Sequence, residues 1–142
     1  MKIPTKYRIP LYVFFLLLIT EVILRVAFGL GNPPLLQVDA DTGYRFRPNQ
    51  IVFRFGKKIK YNQYSQRSQP INTNKPPGTL RILMVGDSVL NGGNSTTQNQ
   101  IISELLKARL ITKTSAVEVL NASAGSWGIG NELGYIRKFG TL

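Results

Sequence analysis

A serine follows directly after a short apolar run in the middle of the chain. Residues 82–85 are Ile-Leu-Met-Val, and Gly86, Asp87 and Ser88 come next. The run predicts a buried strand, and glycine permits a tight turn at its end. A serine hydroxyl becomes a nucleophile once a base takes its proton, and the N–H groups of a turn that opens a helix can stabilise an oxyanion. The pattern indicates acyl transfer at Ser88; the simpler alternative is that Asp87 or Ser88 only caps a turn.

The residues that normally assist such a serine are absent. The sequence contains no histidine, which is the usual base. It contains no cysteine either, so disulfides and thiolate metal sites are excluded. We predict no cofactor and no metal site, because a zinc site without histidine or cysteine is not expected and no phosphate-binding glycine motif is present. The chemistry at Ser88 is therefore expected to be incomplete in this chain alone.

Residues 79–142 have the pattern of a parallel α/β unit. Strands are predicted at 80–85 and 117–120, and helices at 98–110 and 131–139. A continuous apolar run such as 80–85 is typical of a parallel strand covered on both faces. Asn131 is the expected cap of the last helix and Gly140 its stop. Sites in such sheets form at the carboxyl ends of the strands, where Ser88 and the loop of residues 121–130 both fall.

The N-terminal part predicts a membrane anchor. Residues 9–30 are mostly apolar and long enough to cross a hydrocarbon core as a helix. The basic residues of the segment 1–8 favour a cytoplasmic N-terminus in a single-pass protein, with the C-terminal part extracytoplasmic. Glu21 and Arg25 are unfavourable in lipid, but their spacing allows them to pair on one helix face. Prolines 33–34 are expected to end the helix. A cleaved signal peptide is the main alternative.

Residues 31–78 read as a basic stem. The net charge is +11, and residues 42–81 hold nine basic residues and no acid. Alternation over 51–55, a turn at 56–57 and a return over 58–64 predict a β-hairpin. Residues 68–78 are rich in turn formers and read as a linker.

The basic residues of the predicted hairpin are Arg54, Lys57, Lys58 and Lys60. Their simplest role is a solvated basic face. The sharper interpretation is contact with anionic membrane lipid or with acidic envelope polysaccharide. Basic residues beside aromatic ones can also bind single-stranded nucleic acid, but we predict no nucleic-acid partner because the segment is expected to face away from the cytoplasm.

Two segments resemble signature blocks of the SGNH (GDSL-type) hydrolases. Residues 82–93, Ile-Leu-Met-Val-Gly-Asp-Ser-Val-Leu-Asn-Gly-Gly, resemble the first block. Residues 117–128, Val-Glu-Val-Leu-Asn-Ala-Ser-Ala-Gly-Ser-Trp-Gly, are similar to the second, in which an asparagine precedes a glycine-bearing loop. Residues 31–68 look like the stem of membrane-anchored members. The resemblance implies an incomplete three-layer, flavodoxin-like parallel sheet after a transmembrane helix and a hairpin-containing stem.

The resemblance also implies roles for single residues. Ser88 would be the nucleophile, and its own N–H an oxyanion donor. Gly125 would supply a second oxyanion N–H, although a strict alignment of Trp127 places Ser126 there instead. Gly86 and Asp87 would shape the turn, and Asp87 would not be the acid of the triad.

The chain departs from the family after its second block. The third block supplies an asparagine in a G-x-N-D setting and the last supplies D-x-x-H, and nothing after Gly128 matches either. We therefore expect an N-terminal fragment of a membrane-anchored esterase or acetyl hydrolase, inactive alone, whose substrate is an ester-bearing envelope polysaccharide or a small ester. An O-acetyltransferase, a non-catalytic protein that binds through its basic stem, and a non-functional translation product are the alternatives. Whether a partner chain supplies the missing base is open.

Overall fold

The computed structural model describes residues 4–111 and 116–142, apart from the side chain of Thr5; residues 1–3 of the predicted basic segment lie outside them. The helices are α1 (Thr5–Phe28), α2 (Ser88–Asn91), α3 (Ile102–Ile111) and α4 (Ile129–Phe139). The strands are β1 (Leu36–Asp39), β2 (Gly43–Phe46), β3 (Gln50–Arg54), β4 (Lys57–Tyr61), β5 (Leu80–Gly86) and β6 (Val117–Ser123). They form three two-stranded sheets in the described residues. The prediction of a mixed α/β chain with an N-terminal apolar helix is confirmed.

Helix α1 is long and apolar enough to cross a membrane. The stretch Lys6–Phe28 has a mean hydropathy of 2.3 over its most apolar window, none of which is buried in the protein. The predicted pairing of Glu21 with Arg25 is confirmed, because Arg25 Nε lies 2.6 Å from Glu21 Oε1. The arginine guanidinium also reaches past the end of the helix, since a Cβ built on Gly31 would lie 2.9 Å from Arg25 Nη1.

The prediction that prolines 33–34 end this helix is wrong. Helix α1 ends at Phe28, and Gly29 follows in the left-handed conformation with φ 65°. The N–H of Gly29 donates to Arg25 O at 3.0 Å, which is the bond of the αL end motif, and the N–H of Leu30 donates to Leu24 O at 3.2 Å. Glycine therefore stops the helix before the prolines are reached.

Strands β3 and β4 pair antiparallel, with Val52 opposite Ile59 and Arg54 opposite Lys57. We call this pair the β3–β4 ribbon. Its turn is Phe55–Gly56, with φ values of 49° and 71°. Two positive φ angles match the right-handed twist of the flanking strands, as in a type I′ turn. The return strand ends at Tyr61, three residues before the predicted end, because the chain then folds into a tight buried loop.

Strands β5 and β6 pair in parallel from Leu80 opposite Val117 to Gly86 opposite Ser123. Strand β6 is thus longer than the predicted 117–120. The prediction that β5 is covered on both faces is wrong, since its residues are at most half-buried and Leu80 is 42% exposed. In the described residues β5 has a strand on one side only, whereas β6 lies in the interior between β5 and residues 66–68.

Both predicted helices begin elsewhere than expected. A single 3₁₀ turn occupies Gln98–Gln100, and α3 starts only at Ile102. Helix α4 starts at Ile129 with Gly128 as its cap, so the prediction of Asn131 as the cap residue is wrong. Asn131 sits one turn inside the helix and caps it from there, because its Oδ1 accepts from Gly128 N–H at 2.9 Å. The predicted linker also begins later, because Ser68 is buried and its Oγ accepts from Asn121 N–H.

Two apolar clusters meet at one aromatic side chain. The first is centred on Ala122, Ala124, Trp127 and Tyr135, and the second on Val52, Ile59 and Tyr61. Phe46 packs against both, and its ring stacks on Tyr61 with centroids 4.1 Å apart. The ribbon and the parallel unit therefore share a continuous core through Phe46.

Asp39 ties the first sheet to the C-terminal helix. Its buried carboxylate accepts from Arg45 Nε at 2.8 Å and from Lys138 Nζ at 2.9 Å. Its other oxygen accepts from the N–H groups of Asp41 and Thr42. Burial alone would raise the pKa of Asp39, but the hydrogen bonds from Lys138, Arg45, Thr42 and Asp41 outweigh it and hold the pKa well below its usual range.

We expect Asp39→Asn to lower the free energy of unfolding by about 3 kcal/mol, because it leaves two cations without their buried partner. Urea unfolding of the full chain in detergent measures this. Asp41→Asn is the control, since its carboxylate is half exposed and should contribute only about 0–1 kcal/mol. An equal effect of both variants would contradict the assigned role.

The same carboxylate predicts a pH dependence. Because the folded pKa of Asp39 is depressed, its stabilisation is fully present above its ordinary value of 3.8 and is lost as the pH falls toward the folded pKa. Wild type should therefore lose more stability than Asp39→Asn between about pH 5 and about pH 3. Parallel slopes for the two proteins would contradict this.

Candidate active site

The turn after β5 presents Ser88 to solvent. Gly86 is the last residue of the strand, and a Cβ on it would come within 3.1 Å of Leu90, so glycine allows this close turn. Asp87 caps α2, because its Oδ1 accepts from Val89 N–H at 2.9 Å. Gly86 and Asp87 thus both contribute to the shape of this turn. Ser88 is the first residue of α2 and is exposed.

Ser88 and Gly125 line one cleft of about 230 Å³. The two residues come from different segments and were predicted separately. Their meeting follows from the parallel register, which places Gly86 opposite Ser123 at the carboxyl ends of β5 and β6. The cleft is lined by Pro33, Pro34, Phe46, Tyr61, Ser88, Asn91, Gly93, Asn94 and Gly125. Its walls are therefore apolar on the ribbon side and polar around the serine.

Tyr44 of β2 fixes the loop that carries Gly125. Its hydroxyl donates to Gly125 O at 2.5 Å, and its own carbonyl accepts from Trp127 Nε1 at 2.9 Å. Ser126, between the two anchor points, has φ 62° and does not line the cleft. Of the two registers left open by the sequence, the lining of the cleft favours Gly125.

A buried polar network supports the serine turn from below. Asn91 Nδ2 donates to Ser123 O at 3.1 Å and lies 3.2 Å from Ser123 Oγ. Ser123 in turn donates to Asn121 Oδ1. Asn121 Nδ2 donates to Leu90 O at 2.9 Å and to Ser103 Oγ at 3.2 Å. These bonds join α2, β6 and α3, so the position of Ser88 is set by β6 as well as by its own strand.

Arg67 holds the loop that follows α2. Its side chain is fully buried, and its Nη1 donates to Asn91 O and to Gly93 O, both at 2.6 Å. Its Nη2 donates to Thr96 O at 2.6 Å. Burial lowers the pKa of Arg67. Within the described residues its guanidinium donates to three carbonyl oxygens and to the amide oxygen of Gln98. The guanidinium therefore acts as a fork that shapes one rim of the cleft.

Sequence reasoning missed Arg67, Asn91 and Tyr44. Arg67 lies in Ser-Gln-Arg-Ser, where it looked like one of many basic residues of the stem. A usable signal for Asn91 was its position one helical turn after Ser88. Tyr44 carried no local signal, since its bonds span more than 80 residues of chain.

Among the described residues that line the cleft, Tyr61 has the one titratable side chain. Burial raises its pKa to about 12, against smaller opposing effects of Asn91 and Arg67. Its hydroxyl donates to Asn91 Oδ1 at 3.4 Å and is neutral at pH 7. Among residues 4–111 and 116–142, no group of three or more His, Cys, Asp or Glu side chains could hold a metal ion. A base for Ser88 is thus not among the residues that line the cleft.

The basic residues predicted for binding lie away from this cleft. Lys58 pairs with Phe53 and Lys60 with Ile51 across the ribbon, while Arg54 pairs with Lys57 near its turn. Lys60 lines a separate cavity of about 360 Å³ beside Tyr61 and Pro70. The basic ribbon and the serine site are therefore distinct surfaces that share the Tyr61 wall.

No protein-family model matches the chain, and neither a curated protein nor a solved structure matches it.

We expect Arg67→Lys to lower the free energy of unfolding by about 3 kcal/mol, because an ammonium cannot reproduce three forked hydrogen bonds to carbonyl groups. Amide exchange at residues 92–96 should speed up at the same time. Urea unfolding and hydrogen-exchange mass spectrometry measure the two effects. Arg47→Lys, at an exposed position, is the control. Unchanged exchange at 92–96 would refute the role assigned to Arg67.

Proposed function

We propose that Ser88 is the nucleophile of an acyl-ester reaction in a membrane-anchored protein related to the SGNH hydrolases. The observation that carries the proposal is the single cleft that Ser88 and Gly125 share. The sequence predicts that the segments of Ser88 and Gly125 serve one acyl-transfer reaction. These segments lie side by side at the carboxyl ends of two parallel strands. This is where ligands bind in open parallel sheets.

In the proposed reaction, Ser88 Oγ attacks the carbonyl carbon of an ester. The serine proton passes to a base, the oxyanion is stabilised by backbone N–H groups that include that of Gly125, and the alcohol leaves as the acyl-serine forms. Water or a second alcohol then takes the acyl group, which gives a hydrolase or an O-acetyltransferase respectively. A hydrolase and an O-acetyltransferase both form the acyl-serine intermediate, so the proposal includes both activities.

We propose that the base comes from outside residues 1–142, because these residues contain no histidine, the usual base for such a serine. A serine without a base is a weak nucleophile. We therefore propose that the chain alone is close to inactive and that its cleft becomes active when an imidazole or an equivalent base is supplied. On this proposal, the cleft positions Ser88 for acyl transfer, and the base that residues 1–142 lack is supplied separately.

The cleft favours a small acyl group. At about 230 Å³ it is smaller than typical pockets for drug-sized ligands, which begin at about 300 Å³. The stacked rings of Phe46 and Tyr61 provide an apolar wall for a methyl group. We propose an acetyl ester, carried on an envelope polysaccharide or on a small alcohol, as the substrate class.

The finer fold is also part of the proposal. The parallel pair β5–β6 with α3 between them in the chain corresponds to the start of a three-layer SGNH sheet, and the β3–β4 ribbon to its hairpin-containing stem. Helix α1 would be the anchor, with its N-terminus in the cytoplasm.

The test is chemical rescue of the missing base. We expect imidazole to accelerate hydrolysis of p-nitrophenyl acetate by the full chain by about tenfold or more over imidazole alone, since a positioned general base contributes about 10²–10⁴-fold. Mass spectrometry should find the acetyl group on Ser88. Ser88→Ala should abolish the gain, whereas Ser126→Ala, a matched exposed serine outside the cleft, should retain it. Equal rates for wild type and Ser88→Ala would refute the proposal.

A further inference from the structure

The turn of the β3–β4 ribbon is fastened to the end of α1. The N–H of Phe55 donates to Phe28 O, the last residue of the helix, at 2.7 Å. Gly29 packs directly on the ribbon, because a Cβ built on it would lie 2.0 Å from Phe53 O. The position of the ribbon turn along the axis of α1 is therefore set by the residue at which α1 ends.

The outer face of the ribbon combines apolar and basic side chains. Ile51, Phe53 and Phe55 are 62%, 43% and 47% exposed. Lys60 lies opposite Ile51, and Lys58 lies opposite Phe53. Successive side chains of a strand point to opposite faces. Ile51, Phe53, Lys58 and Lys60 therefore share the face opposite to the buried Val52 and Ile59.

The basic residues of the ribbon form no ion pair within the described residues, although Glu104 lines one cavity together with Lys58 and Lys60. In residues 4–111 and 116–142, none of the ion pairs involves Arg54, Lys57, Lys58 or Lys60. The Arg54 guanidinium lies instead 4.8 Å from the centre of the Phe55 ring. Basic side chains beside exposed aromatic rings match the composition found at the membrane–water interface.

The turn residue itself is unusual. Phe55 has φ 49°, a conformation that Gly, Asn and Asp adopt far more readily than an aromatic residue. The ring is only partly buried in return, since Phe55 is 47% exposed. Burial is therefore an incomplete compensation for phenylalanine in this backbone conformation.

We propose that the turn of the β3–β4 ribbon binds anionic phospholipid headgroups at the membrane surface from which α1 emerges. The inference rests on the membrane anchoring proposed above. The aromatic rings of Phe53 and Phe55 enter the headgroup region, and Lys58 and Lys60 contact lipid phosphates. The hydrogen bond between Phe55 and Phe28 holds the turn at that level.

This contact also places the serine cleft near the bilayer. Pro33 and Pro34 line the cleft, and Pro33 follows Phe28 by five residues. A chain of that length spans at most about 17 Å. The ester that reaches Ser88 is then one held at the membrane surface rather than one far from it.

Bromine-labelled lipids test the proposal in the full chain. Trp127 is the single tryptophan of the sequence and is 5% exposed, so it serves as an unquenched reference. Phe55→Trp adds an aromatic probe at the ribbon turn. In vesicles of phosphatidylcholine with phosphatidylglycerol, both brominated near the headgroups, we expect about a twofold loss of the added emission. Bromines near the acyl-chain ends should quench it less.

Two control variants separate the possible failures. Phe15→Trp lies in the middle of α1, and Asn74→Trp lies in an exposed segment far along the chain from the ribbon. The first should be quenched by deep bromines and the second by none. If Phe15→Trp is unquenched, the membrane anchoring fails, and this proposal fails with it. If Phe15→Trp is quenched but Phe55→Trp behaves like Asn74→Trp, this proposal alone is overturned.

The lysines supply the lipid selectivity. In the Phe55→Trp background, Lys58→Gln and Lys60→Gln should each lower the ratio of bound to unbound turn by about fivefold when phosphatidylglycerol is present. They should have little effect in phosphatidylcholine alone. Quenching that is independent of both lysines and of lipid charge would overturn the assignment of anionic headgroups. If an acidic polysaccharide protects Lys58 and Lys60 from chemical acetylation while brominated lipid does not quench Phe55→Trp, the lipid assignment is also overturned, in favour of a glycan partner.

Discussion

The buried guanidinium of Arg67 is the constraint on which the rest of the site depends. A fully buried cation needs hydrogen-bond acceptors, and here it takes them from the backbone of the loop that follows α2. The backbone N–H of Arg67 donates to Asn121 O at 2.8 Å, so residues 66–68 run along the edge of β6 that does not pair with β5. One residue of the stem thereby fixes the edge of the parallel sheet through its backbone and the rim of the Ser88 cleft through its side chain. The stem and the parallel unit consequently form one scaffold.

The apolar interior has the same organisation. Phe46 belongs to the first sheet, yet its ring stacks on Tyr61 of the ribbon and packs against the cluster around Trp127 and Tyr135. Because the Phe46 and Tyr61 rings also line the cleft, the surface that would receive an acyl group is the junction of two cores. A change that loosens this junction should alter the cleft and the fold together.

The sequence was informative where the signal is local. An apolar run that leads into Gly-Asp-Ser predicted the strand and the turn that carries Ser88, since both depend on neighbouring residues. Prediction from the sequence failed where contacts between distant segments determine the position of a residue. The sequence predicts Asn131 as the cap residue of the last helix, but its Nδ2 donates to Thr42 O in a distant turn at 2.8 Å, and its Oδ1 caps the helix from inside the first turn. Likewise, no local pattern shows that Arg67 is buried, because its acceptors lie more than 20 residues away.

The most direct test of the account is a map of covalent adducts over the exposed serines. Ser88, Ser95 and Ser126 are all exposed, but Ser88 alone among them lines the cleft. After incubation of the full chain with a small fluorophosphonate and imidazole, peptide mass spectrometry gives the rate of modification at each. The account predicts that Ser88 is modified faster than the other two and that Arg67→Lys removes the difference. Equal rates at the three serines would show that the turn after β5 confers no reactivity, and would contradict the account.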